Sequence, residues 1–341
     1  MRVLVVSDAD IGGAETVVLA QVKELERQGV NTRLFVPHEL SKFSEHFRNW
    51  RSIYRPRGLE LLLRQILDFR PDIVHFHNIQ WKLGIACVKI AKESGAKVFF
   101  TAHDTGLFYP HKYFGRASFW HQLRTQRLRF NPLRNLLIKK YVRCVDRIFS
   151  VSGVLGQALR EHGFENTTLH NGINVTEWAQ PEPSAHAPTV LFAGRISGAK
   201  GASVLPAIEA LVCAKVPSVK FLVVGKDVWV PREKMPEVYA NTDVVIVPSV
   251  YLDPFPTVVL EAGASARPVV VTNLGGAKEA VTDGVTGFVA DPHSPLFAER
   301  IVELLSNPAR AREMGECARA HITRNFSLEK QVAKLIQYYN G

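Results

Sequence analysis

What this sequence lacks narrows it first. Four cysteines occur in 341 residues, Cys87, Cys144, Cys213 and Cys317, far apart and without the spacing of a zinc site or a disulfide framework. That scarcity argues against a disulfide-stapled secreted scaffold and fits a reducing compartment. No apolar run reaches the length a bilayer span requires. No leader pattern precedes the strand-like Arg2-Val3-Leu4-Val5-Val6, so the expected location is cytoplasmic. Gly-x-Ser-x-Gly, the P-loop order Gly-x-x-x-x-Gly-Lys and a Cys-His pair are missing as well. Acid is nearly absent from one stretch: between Lys112 and Arg147, ten basic residues meet a single acid, Asp146.

What is present fits a folded globular chain, 46% hydrophobic and 22% charged. Its length exceeds one ordinary core and predicts two domains. The net charge of +10 lies wholly in the first half. Residues 1–180 hold 26 Lys and Arg against 16 Asp and Glu, whereas residues 181–341 hold 16 of each. Such an asymmetry concerns partners, not fold.

Short β-branched runs at residues 3–7, 32–36, 72–76, 97–101 and 147–151 alternate with helical patterns at 14–28, 59–69, 83–93 and 132–145. A linker-like stretch at 179–188 follows, rich in Pro and Ala. A second series has strands at 189–193, 220–224, 243–247 and 268–272, and helices at 203–214, 257–266 and 277–281. Helices at 295–305, 308–323 and 327–339 come last. Apolar strands separated by helices imply parallel sheets covered on both faces. The fold class is therefore α/β: two doubly wound Rossmann-like domains facing across a cleft. Expected boundaries are 1–180 and 181–325, with a C-terminal helix at 326–341.

Open α/β sheets bind ligands at the carboxyl ends of their strands, and the unusual residues collect there. Gly12-Gly13-Ala14-Glu15 opens the first helix and could bring backbone N–H groups to a phosphate, or simply make a tight turn. Asp8-Ala9-Asp10 offers no third ligand for a metal and reads as a solvated loop. His75 and His77 share one side of a strand, again without a further zinc ligand, so a core or cleft role is expected. His103-Asp104 ends the fourth strand, where the histidine could donate to a sugar hydroxyl or be satisfied by its own loop. In the second half, Gly194-Arg195 and Lys200-Gly201 suit a diphosphate: Arg binds it by forked hydrogen bonds and Lys as a point charge. A surface loop with two bases accounts for the same residues.

The run from Val247 to Ala262 carries the most information. A buried strand breaks at Pro248, Asp253-Pro254-Phe255-Pro256 turns, and a helix starts on Thr257, read as an N-cap type residue. Its N-terminus favours phosphate. Asp253 and Glu261 would accept bonds from sugar hydroxyls, or serve as a cap and a solvated glutamate.

From Lys112 to Arg147, Leu133, Leu136, Leu137, Tyr141, Cys144, Val145 and Ile148 keep helical spacing and are expected in the core, with Arg134 outside that stripe. Phe114, Phe119 and Trp120 are interleaved with Arg116, Arg124 and Arg127, a mixture suited to an anionic membrane surface or a diphosphate lipid. A solvated basic face explains the charges equally well. No nucleic-acid-reading motif is present.

Taken in order, Gly194-Arg195 to Lys200-Gly201, Pro248-Ser249 with the carboxylate pair, Gly275-Gly276-Ala277-Lys278-Glu279 and Asp283-Gly284 to Gly287-Phe288 resemble the retaining glycosyltransferases of family 4, which have the GT-B fold. Gly12-Gly13-Ala14-Glu15, His103-Asp104, Ser152 and Asn171-Gly172 match that family's first-domain landmarks. The resemblance implies sugar transfer from a nucleoside-diphosphate sugar to a lipid-linked or polysaccharide acceptor, on the inner face of a membrane, with no cofactor and no metal. It implies that the C-terminal helix, 326–341, crosses back to the first domain, and it implies catalytic roles for His103, Asp253, Arg195 and Lys200. Gly12, Gly13, Arg195, Lys200, Asp253, Phe255, Thr257, Val258 and Glu261 would bind the donor, Glu261 at the ribose. Lys112, Arg116, Arg124 and Arg127 would face the acceptor or membrane. The chain departs from the family in having Asp253 where Glu is usual and Pro256 where Gly is frequent. A sugar-nucleotide isomerase or epimerase of the same architecture, or a non-catalytic sugar-nucleotide-binding protein at a membrane, are the competing readings.

Overall fold

The computed structural model describes residues 1–8, 12–41, 52–108, 132–178, 187–225 and 230–341. The chain divides into two compact units. The first comprises Met1–His170 together with Val332–Gly341, and the second Asn171–Gln331. Among the described residues, no helix is long and apolar enough to cross a membrane.

In the first unit, strands β1 (Arg2–Ser7), β2 (Asn31–Phe35), β3 (Ile73–His77), β4 (Lys97–Ala102), β5 (Arg147–Ser150) and β6 (Thr167–Thr168) form one sheet in the order β2-β1-β3-β4-β5-β6. Every pairing is parallel. Strands β1 and β3 are buried along most or all of their length, because helices cover a parallel sheet on both sides. The covering helices include α1 (Gly13–Arg27), α2 (Pro56–Phe69), α3 (Cys87–Glu93), α4 (Pro132–Val142) and α5 (Gly153–Glu161). Helix α1 shows why such segments fold: Val17, Val18, Gln21, Val22 and Leu25 recur on one face, which is the buried one. Helix α5 was not foreseen from periodicity; Ser152 starts it by accepting a hydrogen bond from Leu155 N–H at 3.2 Å.

The second sheet has the order β11-β10-β9-β7-β8, again all parallel. Its strands are β7 (Thr189–Ala193), β8 (Lys220–Val224), β9 (Val244–Val247), β10 (Val269–Thr272) and β11 (Gly287–Ala290), the last not foreseen. Helices α6 (Leu205–Cys213), α7 (Met235–Ala240, also unforeseen), α8 (Thr257–Ala264), α9 (Pro295–Ser306) and α10 (Pro308–Asn325) surround it. Ser294 and Asn307 cap α9 and α10, and Pro follows each at the first helical position, where a missing N–H costs nothing. Val190, Phe192, Ile246 and Val270 pack with Ile208, Phe297, Ile301 and Leu304 in one core. Each fully buried side chain of this kind contributes about 1.5–3 kcal/mol. The final helix, α11 (Leu328–Asn340), gives its first four residues to the second unit and its remainder to the first.

Two expectations fail within the first unit. Leu133 and Leu136 are exposed, and Arg134 is buried in their place. Its guanidinium donates to the Gly106 carbonyl at 2.7 Å, and this acceptor makes burial tolerable. Asp8 does not lie in a solvated loop. It is buried and accepts backbone N–H bonds from Trp81 (2.8 Å), Lys82 and Leu83. Burial nonetheless dominates, raising its carboxyl to about 7 against the pull of those N–H groups.

Candidate functional site

Both sheets reverse direction of strand order once, and each reversal marks the crevice where open α/β sheets take ligands. In the second sheet it lies between β7 and β9. The chain leaving β7 passes through Gly194 and Arg195 to a short 3-10 turn, Gly198–Lys200, capped by Ser197. The chain leaving β9 passes through Pro248, Ser249 and Tyr251 to Asp253. These two loops are tied together: Val250 N–H donates to Ala199 O at 2.9 Å. Gly201 has φ +98°, and a Cβ there would stand 2.2 Å from the Pro248 carbonyl oxygen. Only glycine fits so close a crossing.

The crossing brings Lys200 onto Asp253, with Nζ 2.6 Å from Oδ2. Ser249 Oγ donates to the same Oδ2 at 3.0 Å, while Oδ1 takes no hydrogen bond among the described residues. Asp253 is only 3% exposed, whereas the Lys200 side chain is 29% exposed. The Asp253 backbone is fixed from the other side. Gly276 N–H donates to its carbonyl at 2.8 Å, and a Cβ on Gly275 would come within 2.4 Å of that oxygen. The Gly275-Gly276 pair thus exists to let a loop touch the acid's main chain.

Helix α8 begins just beyond. Its N-cap is Pro256, not Thr257 as the residue type suggests, and no side chain caps it. Proline has no side-chain oxygen to offer, so the N–H groups of Thr257 and Val258 are left for another acceptor. Phe255 is buried against Phe326, ring centroids 5.8 Å apart, and thereby anchors the turn. Arg195 is exposed and makes no ion pair among the described residues.

One turn into α8, Glu261 is 4% exposed. Arg232 Nη1 donates to Oε1 at 3.0 Å and the Tyr239 hydroxyl donates to Oε2 at 2.8 Å. Trp178 closes this group, with the Arg232 guanidinium 5.3 Å from its ring and the Tyr239 ring edge-on at 5.3 Å. Burial, then the neighbouring Glu261 charge, raise the Tyr239 hydroxyl well above its usual value. Sequence reasoning missed Trp178, Arg232 and Tyr239. Only α7, which carries Tyr239 next to Arg232, could have signalled them.

In the first unit, Gly12 caps α1 with φ +106° and Gly13 opens the helix. His103 follows β4. Its Nε2 lies 2.9 Å from His77 Nδ1, and its backbone N–H donates to Asn78 Oδ1 at 3.2 Å. Burial lowers the His103 imidazole to about 4, so it is neutral near pH 7. Lys112, Arg116, Arg124 and Arg127 lie outside the described residues. Among the described residues, no cluster of three or more His, Cys, Asp or Glu could hold a metal ion.

Two parallel sheets with this strand order, and a cation, a carboxylate and an uncapped helix at one switch point, define a Rossmann-like protein with a polar site at the carboxyl ends of its strands. Comparison with known proteins makes the class specific. Residues 11–177 match the model of "Glycosyltransferase Family 4", and residues 228–321 that of "Glycosyl transferases group 1". The alpha-maltose-1-phosphate synthase of Mycolicibacterium smegmatis is 28% identical over 247 residues, 58% of this chain and 64% of that protein. The chain thus spans under two thirds of that relative's length. The sucrose-phosphate synthase of Thermosynechococcus elongatus superposes with a TM-score of 0.75 at 18% identity, over 99% of this chain and 98% of the other. Anabaena HepE in complex with UDP-glucose superposes with a TM-score of 0.69 at 18% identity, over 99% and 100%. The chain belongs to the family-4-type glycosyltransferases of GT-B fold.

Proposed function

We propose that this protein moves a sugar from a nucleoside-diphosphate sugar to a hydroxyl of a lipid-linked or polysaccharide acceptor, retaining the configuration of the anomeric carbon. The Lys200–Asp253 pair beside the uncapped start of α8 carries this reading. Lys200, Arg195 and the N–H groups of Thr257 and Val258 offer positive charge and donors to a diphosphate. Asp253 Oδ1 offers an acceptor to a hydroxyl of the transferred sugar. Glu261 keeps spare lone pairs beside Arg232 and Tyr239, which suits the ribose hydroxyls.

In the reaction, the acceptor oxygen forms a bond to the anomeric carbon while the bond to the phosphate oxygen breaks. That electron pair goes to the phosphate, and the same phosphate takes the acceptor's proton. Negative charge grows on the leaving group, and fixed cations and amide dipoles favour that growth. His103, neutral, contributes hydrogen bonding at the reacting sugar instead of charge. Attack and departure on one face of the ring account for retention without an enzymic nucleophile.

An anionic membrane as the setting is supported by helix α4, part of the basic stretch 112–147, where Leu133, Leu136 and Lys140 are exposed, as is Arg143 just beyond its end. The test is incubation with radiolabelled UDP-glucose, then other labelled nucleoside-diphosphate sugars, and an anionic lipid extract. Label appearing in glycolipid or glycan, with the anomeric configuration of the donor, supports the reading. Interconversion of donor sugars without an acceptor, or binding without turnover across the donor series, overturns it.

A further inference from the structure

Behind His103 stands a row of imidazoles that the transfer reaction does not itself use. His75 and His77 project from β3 on one side, ring centroids 4.3 Å apart, and both are buried. His75 is held at both nitrogens: Nδ1 lies 2.6 Å from the Tyr339 hydroxyl of α11 and Nε2 lies 2.8 Å from Thr101 Oγ1. His77 meets His103 at 2.9 Å through Nδ1, with the two rings stacked at 5.2 Å. The other nitrogen of His77, Nε2, is buried and has no hydrogen-bond partner. The next residue, Asn78, grips His103 by its backbone N–H and Asp104 by its carboxylate, at 3.2 and 3.1 Å.

This pattern decides where the protons sit. Both rings are neutral near pH 7, since burial lowers each well below the ordinary histidine value. One proton must lie between His77 Nδ1 and His103 Nε2. Were it supplied by His103, the proton of His77 would have to sit on Nε2, as a buried N–H with no acceptor. A buried orphan donor is rarer than an orphan lone pair, which leaves the proton on His77 Nδ1. His103 then accepts at Nε2 and carries its own proton at Nδ1, an atom with no hydrogen bond among the described residues.

We infer that His77 is a positioning residue: it donates from Nδ1 to His103 Nε2, fixes the orientation of that ring, and holds it in the Nδ1–H tautomer so that Nδ1–H is presented to an acceptor oxygen of the ligand. The catalytic consequence rests on the transfer reaction proposed above; the tautomer does not. An imidazole held in one tautomer by a buried neighbour is a familiar way to keep a donor in place through a reaction.

The test uses the whole chain labelled with 15N-histidine. Long-range proton–nitrogen spectra at pH 7.5 distinguish the two tautomers, and loss of one ring's signals in His103→Asn assigns them. The wild type should show His103 protonated at Nδ1 and bare at Nε2. In His77→Leu, which has no donor, His103 should revert to the Nε2–H tautomer favoured in water. In His77→Asn, whose amide stands near where Nδ1 does, the Nδ1–H tautomer should persist. Transfer assays should show kcat reduced about a hundredfold in His77→Leu with KM within a few-fold, and largely restored in His77→Asn. An Nε2–H or doubly protonated His103 in the wild type overturns the inference, whether or not His77→Leu folds. So does an unchanged tautomer in a folded His77→Leu. The expected tautomers in a chain that transfers no sugar would remove the reaction proposed above and leave the role of His77 standing.

Discussion

Substituting Gly201 by alanine tests the loop crossing that places Lys200. The added Cβ would stand 2.2 Å from Pro248 O and 2.8 Å from Pro248 C, both backbone atoms that no rotamer change can move aside. Relief requires the two loops to part by about 1 Å, the difference from an ordinary contact. The φ of +98° adds strain of about 1–3 kcal/mol in an alanine. Lys200 precedes the substituted residue directly, so its Nζ leaves the 2.6 Å contact with Asp253. A misplacement of that size costs about a hundredfold in rate. The control is Gly198→Ala, three residues earlier in the same loop, where a Cβ meets nothing within 4 Å. Steady-state kcat/KM with the active donor, together with urea unfolding of each variant, should show Gly201→Ala down about a hundredfold and Gly198→Ala near wild type. A Gly201→Ala enzyme that loses stability but keeps its rate within threefold would refute the claim that this crossing sets the chemistry.

Other expectations follow from single observations. Arg195→Ala and Lys200→Ala should each lower kcat by about a hundredfold or more, the cost of lost charge stabilisation on the leaving phosphate; near-normal turnover in both would remove their assigned role. Asp8, raised to about 7 in the fold, remains protonated where the unfolded chain ionises, so wild-type stability should fall as pH rises from about 4 to 7 and level off above. Asp8→Asn removes that titration, and its urea midpoint should exceed the wild type's at pH 8 with a flatter pH profile; parallel profiles would contradict the buried neutral carboxyl. Arg134→Met leaves the Gly106 carbonyl without its donor and should lower stability by about 1–3 kcal/mol, read from urea midpoints at constant m value.

The sheets were legible because a parallel strand buried on both faces has to be apolar throughout, and runs such as Val3–Ser7 or Thr189–Ala193 have few other uses. Strand β11 was not, since Gly287–Ala290 is four residues long and exists by pairing with β10. The loop residues at the switch point could be picked out because Gly, Pro, Lys and Asp rarely cluster there for packing reasons. Their partners could not. Glu261 meets Arg232 and Tyr239 across 29 and 22 positions of chain, and Asp8 meets Trp81 across 73. Periodicity placed Arg134 on the wrong side of α4 because its acceptor, a carbonyl 28 residues away, leaves no mark in the local pattern.

The discontinuity of the first unit has a consequence for biosynthesis. The Tyr339 hydroxyl that secures His75 belongs to a segment translated only after the 161 residues from Asn171 to Gln331. At about 5–20 residues per second, a nascent first sheet waits roughly 8–30 s for that clasp. During this interval the imidazole row lacks its hydroxyl partner, so the ribosome releases the second half before the first has finished assembling.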